Sequence, residues 1–184
     1  CPKEFHSKQY FALIRNFRRH SWLLLYLFGA SPALDASFVG GRDVGLQQGP
    51  GDSLIGPYAT SLRMSDLGYN NNAQSELNVC FNDLPSYAKS LDYAIHTPLA
   101  QYESMGVKVD GEYRQLNANL LQIENEFYSD IRPKRVARPG QKPVHALFEG
   151  GVEYVEVRNL DLNPFLPLGI DAEQSHFMNV FLVW

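Results

Sequence analysis

Apolar positions along the chain change period several times, and each change predicts an element. Tyr10, Leu13, Ile14, Phe17, Leu24 and Phe28 recur at helical spacing, and Arg15, Arg18, Arg19 and His20 lie mostly elsewhere on the wheel. This predicts a helix over residues 7–27 that ends at Gly29 and Pro32, with the basic cluster on its solvated face. Residues 40–57 carry six glycines and two prolines and predict a poorly ordered surface loop. Residues 78–81 suggest a short strand. Asn82 or Asp83 then caps a helix with Pro85 in its first turn and Tyr87, Leu91, Ala94 and Ile95 as its stripe. It runs to about His96, which faces the helix-end dipole. Asp110-Gly111 sits at the turn of a small hairpin over residues 107–113. Leu121, Ile123 and Phe127 alternate with Gln122, Glu124, Glu126 and Tyr128, predicting a half-buried strand with a polar second face. A basic loop over residues 131–135, a short helix near residues 144–148 and a strand from Gly151 follow. Asp171 caps the last helix, with Gln174 at the reciprocal position. The order lacks regular strand–helix alternation, so the expected class is α+β with a mainly antiparallel sheet.

The strand from Gly151 to Asp161 organises the candidate chemistry. A period of two puts Val152, Tyr154, Glu156, Arg158 and Leu160 on one face, and Glu153, Val155, Val157, Asn159 and Asp161 on the other. Glu156 and Arg158 then stand roughly 7 Å apart at about 3.3 Å per residue. A carboxylate and a guanidinium within an apolar strand are costly to bury without partners. One reading is a mutual ion pair on a solvated face; the other is a metal ligand beside a phosphate-binding arginine. Arg63 and Tyr69 are candidates in the stretch that ends in SDLGY, where packing or rim positions are the alternative.

Composition narrows the class. The 184 residues are 45% hydrophobic and 20% charged, ordinary for a globular protein. A net charge of −4 gives no basic footprint for nucleic acid. The longest apolar run, residues 22–28, is far too short to span a membrane. Cys1 and Cys80 form no metal or redox spacing and suggest reduced thiols in a cytoplasmic setting. A start at Cys1 and an end at Trp184, inside an apolar run, suggest one partial domain over residues 1–184, cut from a longer chain.

YLFGASPA (26–33), PYATSLRMSDLGY (57–69), LQIENEFYSDIRPKR (121–135) and GGVEYVEVRNLDLNPF (150–165) together resemble the proteobacterial type of glutamate–cysteine ligase, or γ-glutamylcysteine synthetase. The likeness covers nearly the whole chain and is weakest at residues 40–56 and 104–114. It implies a glutamine-synthetase-like fold, in which a curved, mainly antiparallel sheet flanked by helices forms a funnel around the active site. It implies ATP and Mg²⁺ as cofactors, and L-glutamate and L-cysteine as substrates. The side-chain carboxylate of glutamate is phosphorylated, and the cysteine amine displaces the phosphate, the first step of glutathione synthesis. By matching blocks, Glu156 resembles a metal ligand and Arg158 the arginine facing the transferred phosphate. Arg63 resembles an arginine holding a substrate carboxylate. Tyr69 and Tyr128 resemble tyrosines around the cysteine moiety, and Arg132 and Arg135 are candidate nucleotide-side cations.

The chain departs from the family in what it lacks. Most of the family's metal-binding carboxylates and a metal-site histidine lie upstream of the matching region, and none of the five histidines here matches it. The implied partner is therefore the remainder of its own chain, and the 184-residue piece is expected to be inactive alone. Two other readings stay open. One is a different ATP-dependent carboxylate–amine ligase of the same fold. The other is a non-catalytic α+β interaction domain with Glu156 and Arg158 as a structural pair.

Overall fold

The computed structural model describes residues 1–68 and 77–184. The helices are α1 (Pro2–His20), α2 (Trp22–Phe28), α3 (Leu84–His96), α4 (Ala100–Met105), α5 (Pro143–Gly150) and α6 (Ala172–Val183). The strands are β1 (Ala33–Asp35), β2 (Gln47–Gln48), β3 (Ser53–Ile55), β4 (Lys108–Val109), β5 (Glu112–Tyr113), β6 (Ile131–Lys134) and β7 (Tyr154–Val157). They form an antiparallel β1-β3-β2 sheet, an antiparallel β4-β5 hairpin and a β6-β7 pair. The class is α+β, as the order of elements predicts. The chain divides into two compact units, Cys1–Asn16 with Asn70–Glu156, and Phe17–Tyr69 with Val157–Trp184.

In the first unit the stripe of α3 meets α5. Asp83 caps α3 as expected, its Oδ1 accepting from the Ser86 N–H at 2.8 Å. Tyr87, Leu91, Ala94 and Ile95 are buried, with Phe11, Ile14, Leu121, Phe127, Ile131, Val144 and Leu147. The Tyr87 ring lies 5.8 Å from Phe11 and 5.3 Å from Phe81, edge-on and tilted. The hairpin turns at Asp110 (φ 53°) and Gly111 (φ 86°), the left-handed pair that a two-residue turn requires.

In the second unit Phe17, Leu24, Val39 and Met178 are buried. Phe28 packs edge-on against Phe177 at 5.2 Å, and Phe17 against Phe181 at 5.7 Å. Residues 40–57 do not form the expected loose loop. They carry β2 and β3, with Asp35 paired to Ser53 and Gln47 to Ile55. The glycines there mark tight turns between strands too short to show a period.

Four further expectations are corrected. The first helix breaks at Ser21, whose hydroxyl donates to the Arg18 carbonyl at 3.4 Å while Leu24 and Leu25 restart the ladder on the Ser21 carbonyl. Residues 78–81 form no strand. Residues 120–128 are not a strand either: a 3₁₀ turn occupies Glu124–Glu126, Leu121 and Phe127 are buried, and Ile123 is 49% exposed. Polar side chains there replace a strand ladder. Glu126 Oε2 accepts from the Gln122 N–H at 2.5 Å, and Gln122 Oε1 from the Leu116 N–H at 2.7 Å. Residues 131–135 are largely strand β6 rather than loop, because Ile131, Arg132 and Pro133 are all buried.

Candidate functional site

Strand β7 is shorter than the sequence suggests, Tyr154–Val157, and it carries Glu156; Arg158 follows its last residue. The N-terminal approach to β7 is pinned. The Glu153 N–H donates to the Lys134 carbonyl at 2.9 Å, Glu153 Oε2 accepts from the Val136 N–H at 3.2 Å, and the Tyr10 hydroxyl donates to the Glu153 carbonyl at 2.9 Å. Lys134, on the neighbouring strand, brings its Nζ to 3.5 Å from Glu156 Oε2. Their side chains are 25% and 38% exposed, so Glu156 is a half-buried carboxylate with a cation beside it.

The second unit brings two of the predicted arginines together. Arg63 donates its Nε to the Arg158 carbonyl at 2.6 Å, and both residues are half-buried. That bond fixes the plane of the Arg63 guanidinium, and with it the direction of the terminal nitrogens that pair end-on with a carboxylate. Two residues beyond Asn159, Asp161 accepts three hydrogen bonds. Its Oδ2 takes the Ala30 N–H at 2.9 Å and the Ser31 hydroxyl at 2.7 Å, and its Oδ1 takes the Ser61 hydroxyl at 2.9 Å. Ser31 Oγ in turn accepts from the Leu62 N–H at 2.8 Å. The turn after Arg63 is wound so tightly that a Cβ on Gly68 would lie 2.3 Å from the Leu62 carbonyl oxygen and 2.4 Å from that of Arg63.

The remaining candidates are placed differently. Arg132 is 5% exposed and its Nη2 donates to the Asn125 carbonyl at 3.3 Å. It lies close to Tyr87, whose phenol is pushed up by burial, drawn down by Arg132 and raised by Glu124. Arg135 is half-buried, its guanidinium against Gly150 and its Nη1 donating to the Gly151 carbonyl at 3.1 Å. Tyr128 is half-buried. Tyr69 lies outside the described residues. The expected polar row is divided, with Glu126 bonded within its own turn and Glu124 Oε2 accepting from the Val144 N–H at 3.1 Å, at the start of α5.

Among the described residues no three His, Cys, Asp or Glu side chains are placed to hold a metal ion. Glu156 supplies one hard oxygen donor, and near-octahedral Mg²⁺ needs several. These residues alone do not fit that ion. Among the described residues no helix is long and apolar enough to cross a membrane. A groove of about 480 Å³ between α3 and α5 is floored by Ala88, Val144 and Phe148 and contains none of the predicted site residues.

Sequence reasoning missed Lys134 as the cation beside Glu156, Asp161 as a hub, and Asn159. Asn159 is 1% exposed, and among the described residues neither amide atom has a hydrogen-bond partner. Lys134 was in view only as part of a basic loop. The partners of Asp161 lie 131, 130 and 100 residues away, beyond any local signal.

The family model for glutamate-cysteine ligase matches residues 1–184. Glutamate–cysteine ligases of Hahella chejuensis and Azotobacter vinelandii are 62% and 59% identical over 98% and 99% of this chain, and the match covers 34% of each. The crystal structure of glutamate–cysteine ligase from Francisella tularensis in complex with AMP superimposes with a TM-score of 0.90 at 43% identity, over 96% of this chain and 35% of that one. A bifunctional glutathione synthetase from Pasteurella multocida gives a TM-score of 0.65 at 28% identity, over all of this chain and 19% of that one. The chain thus spans about a third of the length of the curated relatives it matches. On this chain-long match, the chain belongs to the glutamate–cysteine ligase family.

Proposed function

We propose that this chain is part of the catalytic region of an ATP-dependent ligase that joins the side-chain carboxylate of L-glutamate to the amine of L-cysteine. In the first step a glutamate oxygen bonds to the γ-phosphorus of ATP, the bond to the bridging oxygen breaks, and ADP leaves. In the second step the cysteine nitrogen attacks the acyl carbon, the C–O bond to phosphate breaks, and the amine loses a proton. Charge develops on the phosphoryl oxygens in the first step and on the leaving phosphate in the second. Arg158 is the residue assigned to meet it, since a planar cationic fork suits phosphoryl oxygens. Arg63 is assigned to a substrate carboxylate, and Tyr69 and Tyr128 to the cysteine pocket.

The observation that carries this reading is the Arg63–Arg158 contact, which puts two arginines 95 residues apart at one place within one unit. Glu156 is proposed as one Mg²⁺ ligand, the other donors lying outside the residues described. Of the nucleotide-side candidates, half-buried Arg135 suits the role better than Arg132, which is 5% exposed. The small sheets are read as part of the curved sheet of a glutamine-synthetase-like fold, in one catalytic domain, and the setting as cytoplasmic.

The test is ligation by the full-length protein that carries this segment. Sustained ADP release should require glutamate and an amine acceptor, with cysteine as the natural one. Hydroxylamine in place of cysteine should trap the acyl phosphate as γ-glutamyl hydroxamate. Turnover with other amines but not cysteine would favour a different carboxylate–amine ligase, and no ATP-dependent ligation would overturn the reading.

A further inference from the structure

Asp161 lies four residues beyond the end of the strand that carries Glu156. Its geometry nevertheless ties it to Arg63. Both carboxylate oxygens are engaged, by Ala30 and Ser31 on one side and Ser61 on the other. Ser31 relays the contact to the Leu62 backbone at 2.8 Å, one residue before Arg63, and the Ser31 N–H donates to the Thr60 carbonyl at 3.1 Å. The segment 60–62 is therefore held by Ser31 and Asp161 immediately before it delivers Arg63 to the Arg158 carbonyl. Asp161 and Arg158 are three residues apart on one chain, so the carboxylate that grips 61 and the carbonyl that grips Arg63 share one short segment.

The cavity beside this cluster supports a positioning role rather than a binding one. It has a volume of about 60 Å³, is lined by Leu34, Leu54, Leu62 and Leu67 together with Ser31 and Ser61, and is too small and apolar for an amino-acid substrate. A carboxylate accepting three hydrogen bonds from two separate loops has a mechanical consequence. It sets the spacing of those loops to hydrogen-bond tolerance, a few tenths of an ångström. Misplacing a substrate-clamping guanidinium by about 1 Å is enough to lose a large part of its effect.

We propose that Asp161, through Ser31 and Ser61, is the positioning residue that sets Arg63 for the substrate carboxylate. This rests on the assignment of Arg63 above. It acts on binding more than on chemistry, so its signature is a split between KM and kcat. In the full-length ligase, Asp161→Asn should raise the KM of the amino acid whose carboxylate Arg63 holds, glutamate or cysteine, about fivefold to tenfold, with kcat and the ATP KM changed less than about twofold. Ser61→Ala, which removes one hydroxyl contact and keeps the other two, should shift that KM in the same direction by less. Arg63→Lys should raise it too, and adding Asp161→Asn to that background should raise it little further, since both act on one contact.

The outcomes separate the two claims. If Arg63→Lys raises the glutamate or the cysteine KM and Asp161→Asn leaves it unchanged, the positioning role is overturned and the Arg63 assignment survives. If Arg63→Lys leaves both the glutamate and the cysteine KM unchanged, the Arg63 assignment fails and the positioning role fails with it. A lower melting temperature for Asp161→Asn without a KM shift, or additive effects in the double variant, also overturns the proposal. Should Asp161→Asn fail to fold, Ser61→Ala decides by the same KM reading.

Discussion

Replacing Arg158 with alanine separates the phosphate-facing role from a packing role unusually well. Arg63 donates its Nε to the Arg158 backbone carbonyl, at 2.6 Å, a contact that alanine at 158 can keep. The substitution therefore removes the guanidinium and leaves the anchor of the neighbouring arginine intact. The side chain is half-buried, so losing its stem costs stability on the order of 1 kcal/mol. Losing a cationic donor aimed at developing phosphoryl charge costs about 3 kcal/mol in the barrier, roughly a hundredfold in rate. The two effects differ in both size and observable. In the full-length ligase, ATP- and cysteine-dependent turnover should fall roughly a hundredfold in Arg158→Ala, while the melting temperature moves by a few degrees at most. Arg158→Lys keeps the charge and loses the fork, and should recover only part of the rate. Turnover within about threefold of the parent, in an alanine variant that melts normally, would refute the reasoning.

Glu156→Gln tests the half-buried carboxylate. At 3.5 Å its attraction to Lys134 is about 5 kcal/mol at an effective dielectric of 20, and exposure screens that to about 0–1 kcal/mol of stability. A thermal melt should therefore shift little while turnover collapses; the reverse pattern would make the pair structural. Gly68→Ala puts a Cβ within 2.4 Å of the Arg63 carbonyl oxygen, and it should lower the melting temperature and raise the KM of the amino acid that Arg63 holds together. Normal values of both would show that the turn relaxes freely. Asp83 has its carboxyl held below the ordinary value, first by the Ser86 N–H and then by the Ser86 side chain. A lowered folded-state value means stability present above the unfolded carboxylate range and lost as pH falls through the folded value. Asp83→Ala should thus melt earlier at neutral pH and converge with the parent in acid, and a pH-independent difference would contradict the cap.

What the sequence made legible is local in origin. The cap at Asp83, the stripe of α3 and the Asp110-Gly111 turn depend on residues within one turn or one hairpin, so periodicity and turn chemistry suffice to place them. The failures share a cause as well. Residues 120–128 alternate as a strand does, yet Gln122, Glu126 and Asn117 hydrogen-bond to nearby backbone and leave nothing for a partner strand. The glycine-rich run hid strands of two and three residues, too short to register a period. Ile131, Arg132 and Pro133 read as basic loop because a buried arginine and a strand proline both run against local preference, which packing overrode.

The candidate site divides in the same way. Glu156 and Arg158 are visible because a charge at every second position of an apolar strand conflicts with burial, and that conflict is a one-dimensional signal. Arg63 has no such signal, and nothing near it in the chain distinguishes it from a rim arginine; it becomes notable only where its Nε meets the Arg158 carbonyl. Asp161 shows the limit most clearly. In the alternating pattern it sits on the face away from the chemistry, and by that criterion it is dismissed. Yet its carboxylate joins Ser31 to Ser61, and Leu62, one residue before Arg63, donates its N–H to Ser31. Alternation assigns residues to faces, and only the long-range hydrogen bonds reveal that Asp161 joins the loops of Ser31 and Ser61.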